Sequence, residues 1–505
     1  MFNSNYPVLR PYISATGNTA PKTVTDLQTS LNYNRAFGKH NLSVLALYNQ
    51  NSTKEGSNRD INYLGYVGRV TYNYNQRYML EFNAGYNGSN QFNDQNHYGF
   101  FPAVSAGWVI SEEPFIKNNL NFITALKLRG SYGTVGNDKI GIDLATYAYL
   151  STYVATGSYG FGDSHTNYNG LAEGKIGNPD LTWEKERKAN IGIDADFFES
   201  KLKVTFDYFE NQRYDIITTR ATVGQIVGVA LPEINMGKVR NKGFELELGH
   251  FNKVGQVDYF LKGNISVAKN KILERDEEKK KYPWLQSTGL SVGQSFGYQV
   301  IGFYNDANDL ANSPKNVTLN PQVGDLKFAD LNNDGIINDD DKGPIGYPNV
   351  PNTNIGLSGG LSYKGFDFSF LLQSALNGSV RLSDELIYDN NANRFQEIHQ
   401  GRWTPETASS ATYPRLHLAS ANNRSVSSFW LRSNDYLRLK NVEIGYRFTP
   451  KAIKRIGIES LRVYANGANL LTWDYLKLID PESPPGRGEN YPQQRVFSFG
   501  LNLNF

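Results

Sequence analysis

The sequence predicts an all-β protein and, more narrowly, a transmembrane antiparallel β-barrel. Three observations support this fold class. The chain of 505 residues contains 32 Tyr, 28 Phe and 47 Gly, a composition typical of many half-buried strands joined by turns. Apolar and polar residues alternate along segments of about 10 to 15 residues. The connections between these segments are alternately very short and very long.

The alternation is clearest in the last segment, RVFSFGLNLNF. Its apolar residues are Phe497, Phe499, Leu501, Leu503 and Phe505, and each pair is separated by one small or polar residue. Because successive side chains of a strand point to opposite faces, this segment has one apolar and one polar face. Such a strand suits a barrel wall between lipid and an aqueous lumen.

Fifteen segments read as strands by the same criterion. Most are longer than the strands of globular proteins, which average about 5 or 6 residues, and match the roughly 9 to 11 that a tilted strand needs to cross a membrane. The predicted strands span 25–36, 41–50, 62–75, 77–91, 102–112, 125–135, 181–198, 201–217, 238–252, 256–270, 352–364, 366–377, 436–448, 460–470 and 493–505.

The connections between the predicted strands fall into two classes by length. Tight turns are predicted near residues 38, 76, 199, 253 and 364, whereas the long connections are 136–180, 218–237, 271–351, 378–435 and 471–492. Tight turns at one end and large loops at the other are typical of outer-membrane barrels. No run of eighteen apolar residues exists, which excludes transmembrane helices. A soluble β-sandwich remains an alternative, but it would not sort its loops in this way.

Charge and reactive residues exclude other classes. The formal net charge is +2 with both signs interspersed, so nucleic acid is not a predicted partner. The chain has no cysteine, which excludes disulfides and thiolate metal sites. The six histidines are dispersed and form no metal or catalytic motif. We therefore predict that the chain is not an enzyme.

Several motifs carry a family resemblance over nearly the whole chain. They are GFFPAVSAGWVISEEPFI, LKLRGSYGTVGND, LTWEKERKANIGIDADFFESKLKVTFDYF, MGKVRNKGFELEL, YLRLKNVEIGYRF and LRVYANGANLLTW. In this order they resemble the SusC/RagA type of TonB-dependent outer-membrane transporter. The resemblance implies a barrel of 22 strands around a plug. It also implies a SusD-like surface lipoprotein as a lid, and cargo that is usually an oligosaccharide and sometimes a peptide.

The chain departs from that family at its beginning. A signal peptide, a plug and the N-terminal box through which the TonB complex acts find no match. We therefore expect residues 1–505 to be the C-terminal part of a longer transporter, with the last 15 or so strands of its barrel. The terminal Phe505 resembles the family's assembly signal, which implies contact with the barrel-assembly machinery.

One acidic stretch, DLNNDGIINDDD, has the spacing of a calcium loop. Calcium prefers about six to eight oxygen ligands, and an EF-hand-type loop supplies them at positions 1, 3, 5, 7, 9 and 12. The simpler alternative is an acidic turn that binds nothing. The loop falls in the predicted long extracellular segment 271–351. The predicted ligands are Asp330, Asn332, Asp334, the carbonyl of Ile336, Asn338 and Asp341.

Four tryptophans fall in the long connections, where an aromatic face could stack on a sugar ring. They are Trp284, Trp403, Trp430 and Trp473. Packing within the loops is the alternative for each.

Together these features predict an outer-membrane barrel that takes up a nutrient, most simply an oligosaccharide, with a SusD-like lipoprotein as partner. A non-transporting surface receptor or adhesin on a barrel is the main alternative. The remaining alternative is a soluble β-sandwich that binds glycans. No cofactor other than Ca²⁺ is predicted.

Overall fold

The computed structural model consists of one large sheet and of folded connections between its strands. No helix among the described residues is long and apolar enough to cross a membrane. The described residues are 21–56, 59–139, 147–163, 165–222, 228–382, 397–417, 420–448, 458–483 and 490–505.

The main sheet has 15 strands, and each strand pairs antiparallel with the next along the chain. The strands are long because alternating apolar and polar residues continue through most of their length. They are β1 (Lys22–Phe37), β2 (His40–Glu55), β3 (Ile61–Tyr74), β4 (Tyr78–Ser89), β5 (Tyr98–Val109), β6 (Ile123–Asn137), β9 (Glu184–Phe197), β10 (Leu202–Thr219), β11 (Glu233–Val254), β12 (Val257–Glu274), β17 (Thr353–Tyr363), β18 (Phe366–Leu376), β21 (Tyr436–Arg447), β22 (Ser460–Asp474) and β23 (Val496–Asn504).

Each of these 15 strands confirms one predicted strand. The boundaries differ by a few residues: β11 begins at Glu233 rather than 238, and β22 runs on to Asp474 rather than ending at 470. The alternation of short and long connections is also confirmed.

The pairing register of the strands places apolar residues on one face of the sheet and polar residues on the other. Phe368 on β18 lies opposite Leu361 on β17 and Ile444 on β21, so an apolar row crosses three strands. The next residue, Ser369, lies opposite Glu443 on the other face. The apolar face is open to its surroundings, with Phe499 83% exposed. Because this face is apolar and exposed, it suits lipid.

The short connections are tight turns built by local conformation. Between β17 and β18, Lys364 and Gly365 both have positive φ, of 46° and 92°. A two-residue hairpin of this kind needs positive φ at both positions, and glycine accepts it at no steric cost. Any Cβ on Gly365 would also come within 2.6 Å of the Arg447 carbonyl oxygen.

Aromatic rings gather at the end of the sheet where the short connections lie. Tyr78 stacks on Trp108 with ring centroids 6.4 Å apart, and Phe366 contacts Tyr446 at 4.5 Å. Both indole and phenol donate hydrogen bonds to Glu113, at 3.2 and 2.6 Å. Aromatic rows of this kind are typical of the interfacial girdle of membrane barrels.

The polar face carries charged groups that are paired across strands. Arg129 donates to Asp194 at 3.0 Å and to Asp207 at 2.6 Å. Arg462 likewise holds two carboxylates, Asp367 at 3.0 Å and Glu443 at 2.6 Å.

The long connections contain short elements that alternation in the sequence does not reveal. The strands are β7 (Tyr153–Phe161) paired with β8 (Thr166–Glu173), β13 (Ser295–Tyr298) with β16 (Lys342–Ile345), β14 (Val300–Phe303) with β15 (Leu326–Phe328), and β19 (Ser379–Arg381) with β20 (Leu431–Ser433). The helices are α1 (Pro114–Lys117), α2 (Ala307–Asn312) and α3 (Ala421–Arg424).

Candidate functional site

The described parts of three long connections, 275–352, 377–435 and 475–495, pack together at one end of the sheet. Their buried side chains form a single apolar core, which we call the loop cluster. Its fully buried centre includes Trp430 and Leu326, at 1% and 0% exposure. The members are Tyr298, Leu326, Phe328, Ile337, Val380, Leu382, Tyr413, Trp430 and Leu476.

Amide side chains join two of these connections inside the loop cluster. Asn423 accepts from the Leu326 backbone N–H at 2.9 Å and donates to the Asp325 carboxylate at 2.9 Å. Asn422 donates to the Leu326 carbonyl at 2.8 Å. Burial raises the pKa of Asp325, which is 1% exposed. These bonds satisfy backbone groups that strand pairing does not reach.

A buried arginine of β21 joins the third of these connections to the sheet through ion pairs. Arg438 is 1% exposed and donates to Asp480 at 2.7 Å and to Glu482. Its Nε also donates to Thr472 at 3.0 Å. A register shift around Lys440 in β21 follows Arg438 by two residues, so the alternation of the strand is interrupted there. The sequence pattern of this strand therefore does not predict the triad of Arg438, Asp480 and Glu482.

The acidic loop, residues 330–341, is closed by hydrogen bonds between carboxylates and its own backbone. Asp330 accepts from the Gly335 N–H at 2.8 Å, and Asp334 accepts from the Ile336 N–H at 2.8 Å. Asp341 is fully buried and accepts from the Leu331 and Asn338 N–H groups, both at 2.9 Å. These bonds hold the loop in a compact turn.

The acidic loop packs against the segment before it. Trp284 donates from its indole N–H to the Asp340 carbonyl at 2.9 Å, and Lys281 pairs with the Asp340 carboxylate at 2.9 Å. The Lys342 ammonium lowers the pKa of Asp339, which it contacts at 2.7 Å. The loop is thereby fixed to its surroundings by both a ring and charges.

The predicted calcium ligands share the acidic loop, but their carboxylates are not gathered around one point. Among the described residues, no group of three or more His, Asp or Glu side chains is placed to hold a metal ion. Two of the carboxylates, Asp330 and Asp334, instead accept backbone N–H groups of the loop. The calcium site therefore stays a prediction, and binding would require those two side chains to share their oxygens with the ion.

Two of the four predicted sugar-stacking tryptophans are buried. Trp430 is 1% exposed within the loop cluster, and Trp403 is 8% exposed. Trp403 packs against Gly324, where a Cβ would come within 2.4 Å of the indole ring. Both rings thus take part in packing, and binding a sugar would require the connections to open.

The other two tryptophans keep more exposed rings. Trp284 is partly buried and stacks on Tyr282 with centroids 4.6 Å apart. Trp473 is 50% exposed and lies in β22 opposite Leu437, rather than in a loop as the sequence predicted. This position follows from the four extra residues of β22. Ligand binding by Trp284 and Trp473 stays a prediction.

Phe505 follows the last residue of β23 and is 81% exposed. It belongs to the same alternating series as Phe497 and Phe499, so its ring continues the apolar face. The structure thus leaves the ring available for contact, while its role in assembly stays a prediction.

Comparison with known families decides what kind of sheet this is. The family described as TonB dependent receptor-like, beta-barrel matches residues 2–470. The chain belongs to this family. TonB-dependent receptors are transport proteins of the outer membrane of Gram-negative bacteria, not enzymes, so the predicted location and the predicted lack of enzymatic activity are confirmed.

Relatives of this TonB-dependent receptor chain agree with the assignment. It is 31% identical to TonB-dependent receptor P26 of Formosa agariphila over 87% of this chain and 46% of the relative. It is 28% identical to TonB-dependent receptor SusC of Bacteroides thetaiotaomicron over 88% of this chain and 44% of the relative. The chain spans about half the length of the curated relatives it matches.

Solved structures show the same fold. The RagAB peptide transporter matches with a TM-score of 0.77 at 19% identity, over 96% of this chain and 56% of that chain. The RagAB peptide importer in its open-open state matches with a TM-score of 0.78. The resemblance to SusC/RagA proteins inferred from the motifs is therefore confirmed, and the alternative of a soluble β-sandwich is wrong.

Proposed function

We propose that the chain forms barrel strands of a SusC-like transporter that imports an oligosaccharide across the outer membrane. The observation that carries this proposal is membership of the TonB-dependent receptor family over residues 2–470. The sheet supports it, since one face is apolar for lipid and the other carries paired charges suited to a wet lumen.

The cargo rests on the family resemblance. An oligosaccharide is the usual cargo that the SusC type implies, and the partner would be a SusD-like surface lipoprotein. A peptide is the second candidate, because RagAB is described as a peptide transporter. At 19% identity that likeness concerns the fold alone, so we keep the oligosaccharide as the proposal.

We further propose that the long connections face outward and that calcium fixes the acidic loop there. Short turns face the periplasm in bacterial barrels, which puts segment 271–351 outside the cell. Calcium outside cells is plentiful, and sites there bind with dissociation constants of about 10⁻⁴ to 10⁻³ M. The ion would neutralise Asp330 and Asp334 and hold an entry loop, without a catalytic step.

Growth on single glycans tests the transport proposal. A strain lacking the gene should lose growth on one oligosaccharide and regain it with the wild-type gene. Growth on the corresponding monosaccharide serves as the control, because its uptake needs no large transporter. Unchanged growth on every oligosaccharide, together with lost adhesion to a surface glycan, would instead support the adhesin. Lost growth on peptides alone would assign the peptide as cargo.

A further inference from the structure

Arg432 lies beside the loop cluster and has no counter-charge among the described residues. Arg432 lies in β20, where its backbone pairs opposite Val380, a core residue that is 2% exposed. The side chain is partly buried. Within the described part of the chain, its guanidinium has neither an ion pair nor a hydrogen bond, and it contacts the ring of Phe429 at 5.0 Å from the centroid.

Three other partly or fully buried arginines each hold two carboxylates: Arg129, Arg438 and Arg462. That pattern is expected, because a charge removed from water is costly unless a partner and hydrogen bonds compensate it. Among the described residues, Arg240 and Arg415 are also partly buried without an ion pair, and Arg415 donates to the Val323 carbonyl. Arg432 likewise departs from the pattern of paired arginines, and burial lowers its pKa. A group that costs stability in this way is a candidate for function rather than for folding.

The aromatic ring beneath the Arg432 guanidinium is packed against two other rings. This ring, Phe429, packs against Trp430 with centroids 4.7 Å apart and against Phe303 at 6.0 Å. A cation over a fixed aromatic face is attracted to it, but this contact uses none of the five N–H donors. Those donors form a planar fork that matches a carboxylate or a sulfate with two parallel hydrogen bonds.

We propose that Arg432 binds an acidic group, a uronate carboxylate or a sulfate ester, of the imported oligosaccharide. This inference rests on the proposed transport function and adds to it the charge class of the cargo. The site lies in the connections that we place at the outer mouth of the barrel, where a ligand arriving from outside meets the protein first.

The test measures binding of matched ligand pairs to the purified protein in detergent. Oligogalacturonate is compared with its neutral methyl ester, and a sulfated galactan oligosaccharide with its desulfated form. The variants are Arg432→Gln, which removes the charge, and Arg432→Lys, which keeps the charge without the fork. The matched control is Arg381→Gln, because Arg381 is exposed on the neighbouring strand β19.

We expect Arg432→Gln to weaken binding of one acidic ligand about tenfold or more, as for loss of a charge-assisted hydrogen bond. The affinity of Arg432→Lys for the acidic ligand should fall between that of the wild type and that of Arg432→Gln. Arg381→Gln should bind the acidic ligand as the wild type does, and no variant should change the affinity for neutral ligands. Arg432→Gln should also melt at the same or a higher temperature, because it removes a partly buried charge that has no counter-charge. The ligand pair that responds distinguishes uronate from sulfate.

Two results would overturn the inference while leaving glycan transport intact. One is equal binding of acidic and neutral ligands by the wild type. The other is unchanged acidic binding by Arg432→Gln. If the wild type binds no oligosaccharide, charged or neutral, the proposed glycan cargo fails together with this inference.

Discussion

Arginine substitutions along β18 test the orientation and depth of the sheet in the membrane. Strands rise about 3.3 Å per residue and tilt about 35–45° in membrane barrels, so each residue adds roughly 2.3–2.7 Å of depth. Phe366 contacts Tyr446 in the aromatic row at the short-turn end, which we take as the edge of the apolar band. Phe370, four residues on, then lies roughly 9–11 Å deeper, close to the midplane of a band about 25 Å tall.

The expected costs follow from that depth. Phe370→Arg should destabilise the folded protein by about 2–4 kcal/mol, and Phe366→Arg by only about 0–1 kcal/mol. Ser369→Arg should be mild, because its side chain shares the polar face with Glu443 directly opposite. Denaturant unfolding in lipid vesicles gives the free energies, and heat-modifiable gel migration reports folding. Equal costs at Phe366 and Phe370, or a cost at Ser369 as large as at Phe370, would refute the assigned faces and depth.

Three further outcomes are expected. Deleting Phe505 should slow insertion of the barrel without changing ligand affinity, and insertion at the normal rate would contradict an assembly role. Calcium should protect backbone 325–345 from proteolysis, and Asp330→Ala with Asp334→Ala should abolish that protection. If the wild type and the double variant are cleaved alike with and without calcium, the loop is only an acidic turn. Arg438→Ala should cost about 3–5 kcal/mol, because it leaves the Asp480 carboxylate without its ion pair and Glu482 with Lys440 alone, and it should expose 475–483 to protease. Unaltered cleavage there would argue against the triad.

The strands could be predicted from the sequence because their signal is local. An apolar face toward lipid requires alternation in every strand, and each of the 15 segments carries it. The boundary errors lie where the alternation meets a long connection, as at Trp473, which an extended β22 carries onto the sheet.

The interior of the loop cluster could not be predicted in the same way. Its short strands have three or four residues, too few to show a period. Burial of Trp403 and Trp430 depends on contacts between connections far apart in sequence, for example through Asn423 and Leu326. Arg432 and Arg438 are equally charged in the sequence, and only the fold distinguishes the unpaired one from the paired one.

The shared core of the loop cluster has a consequence for the order of folding. Its members come from three connections, and the strands β17, β18, β21 and β22 separate those connections along the chain. Bringing together residues so far apart in sequence costs loop-closure entropy, and pairing of the intervening strands lowers this cost. The contacts within the loop cluster should therefore form late in folding. The loop cluster should pack only after the strands beneath it have paired. Its formation would then report that this half of the sheet has finished folding.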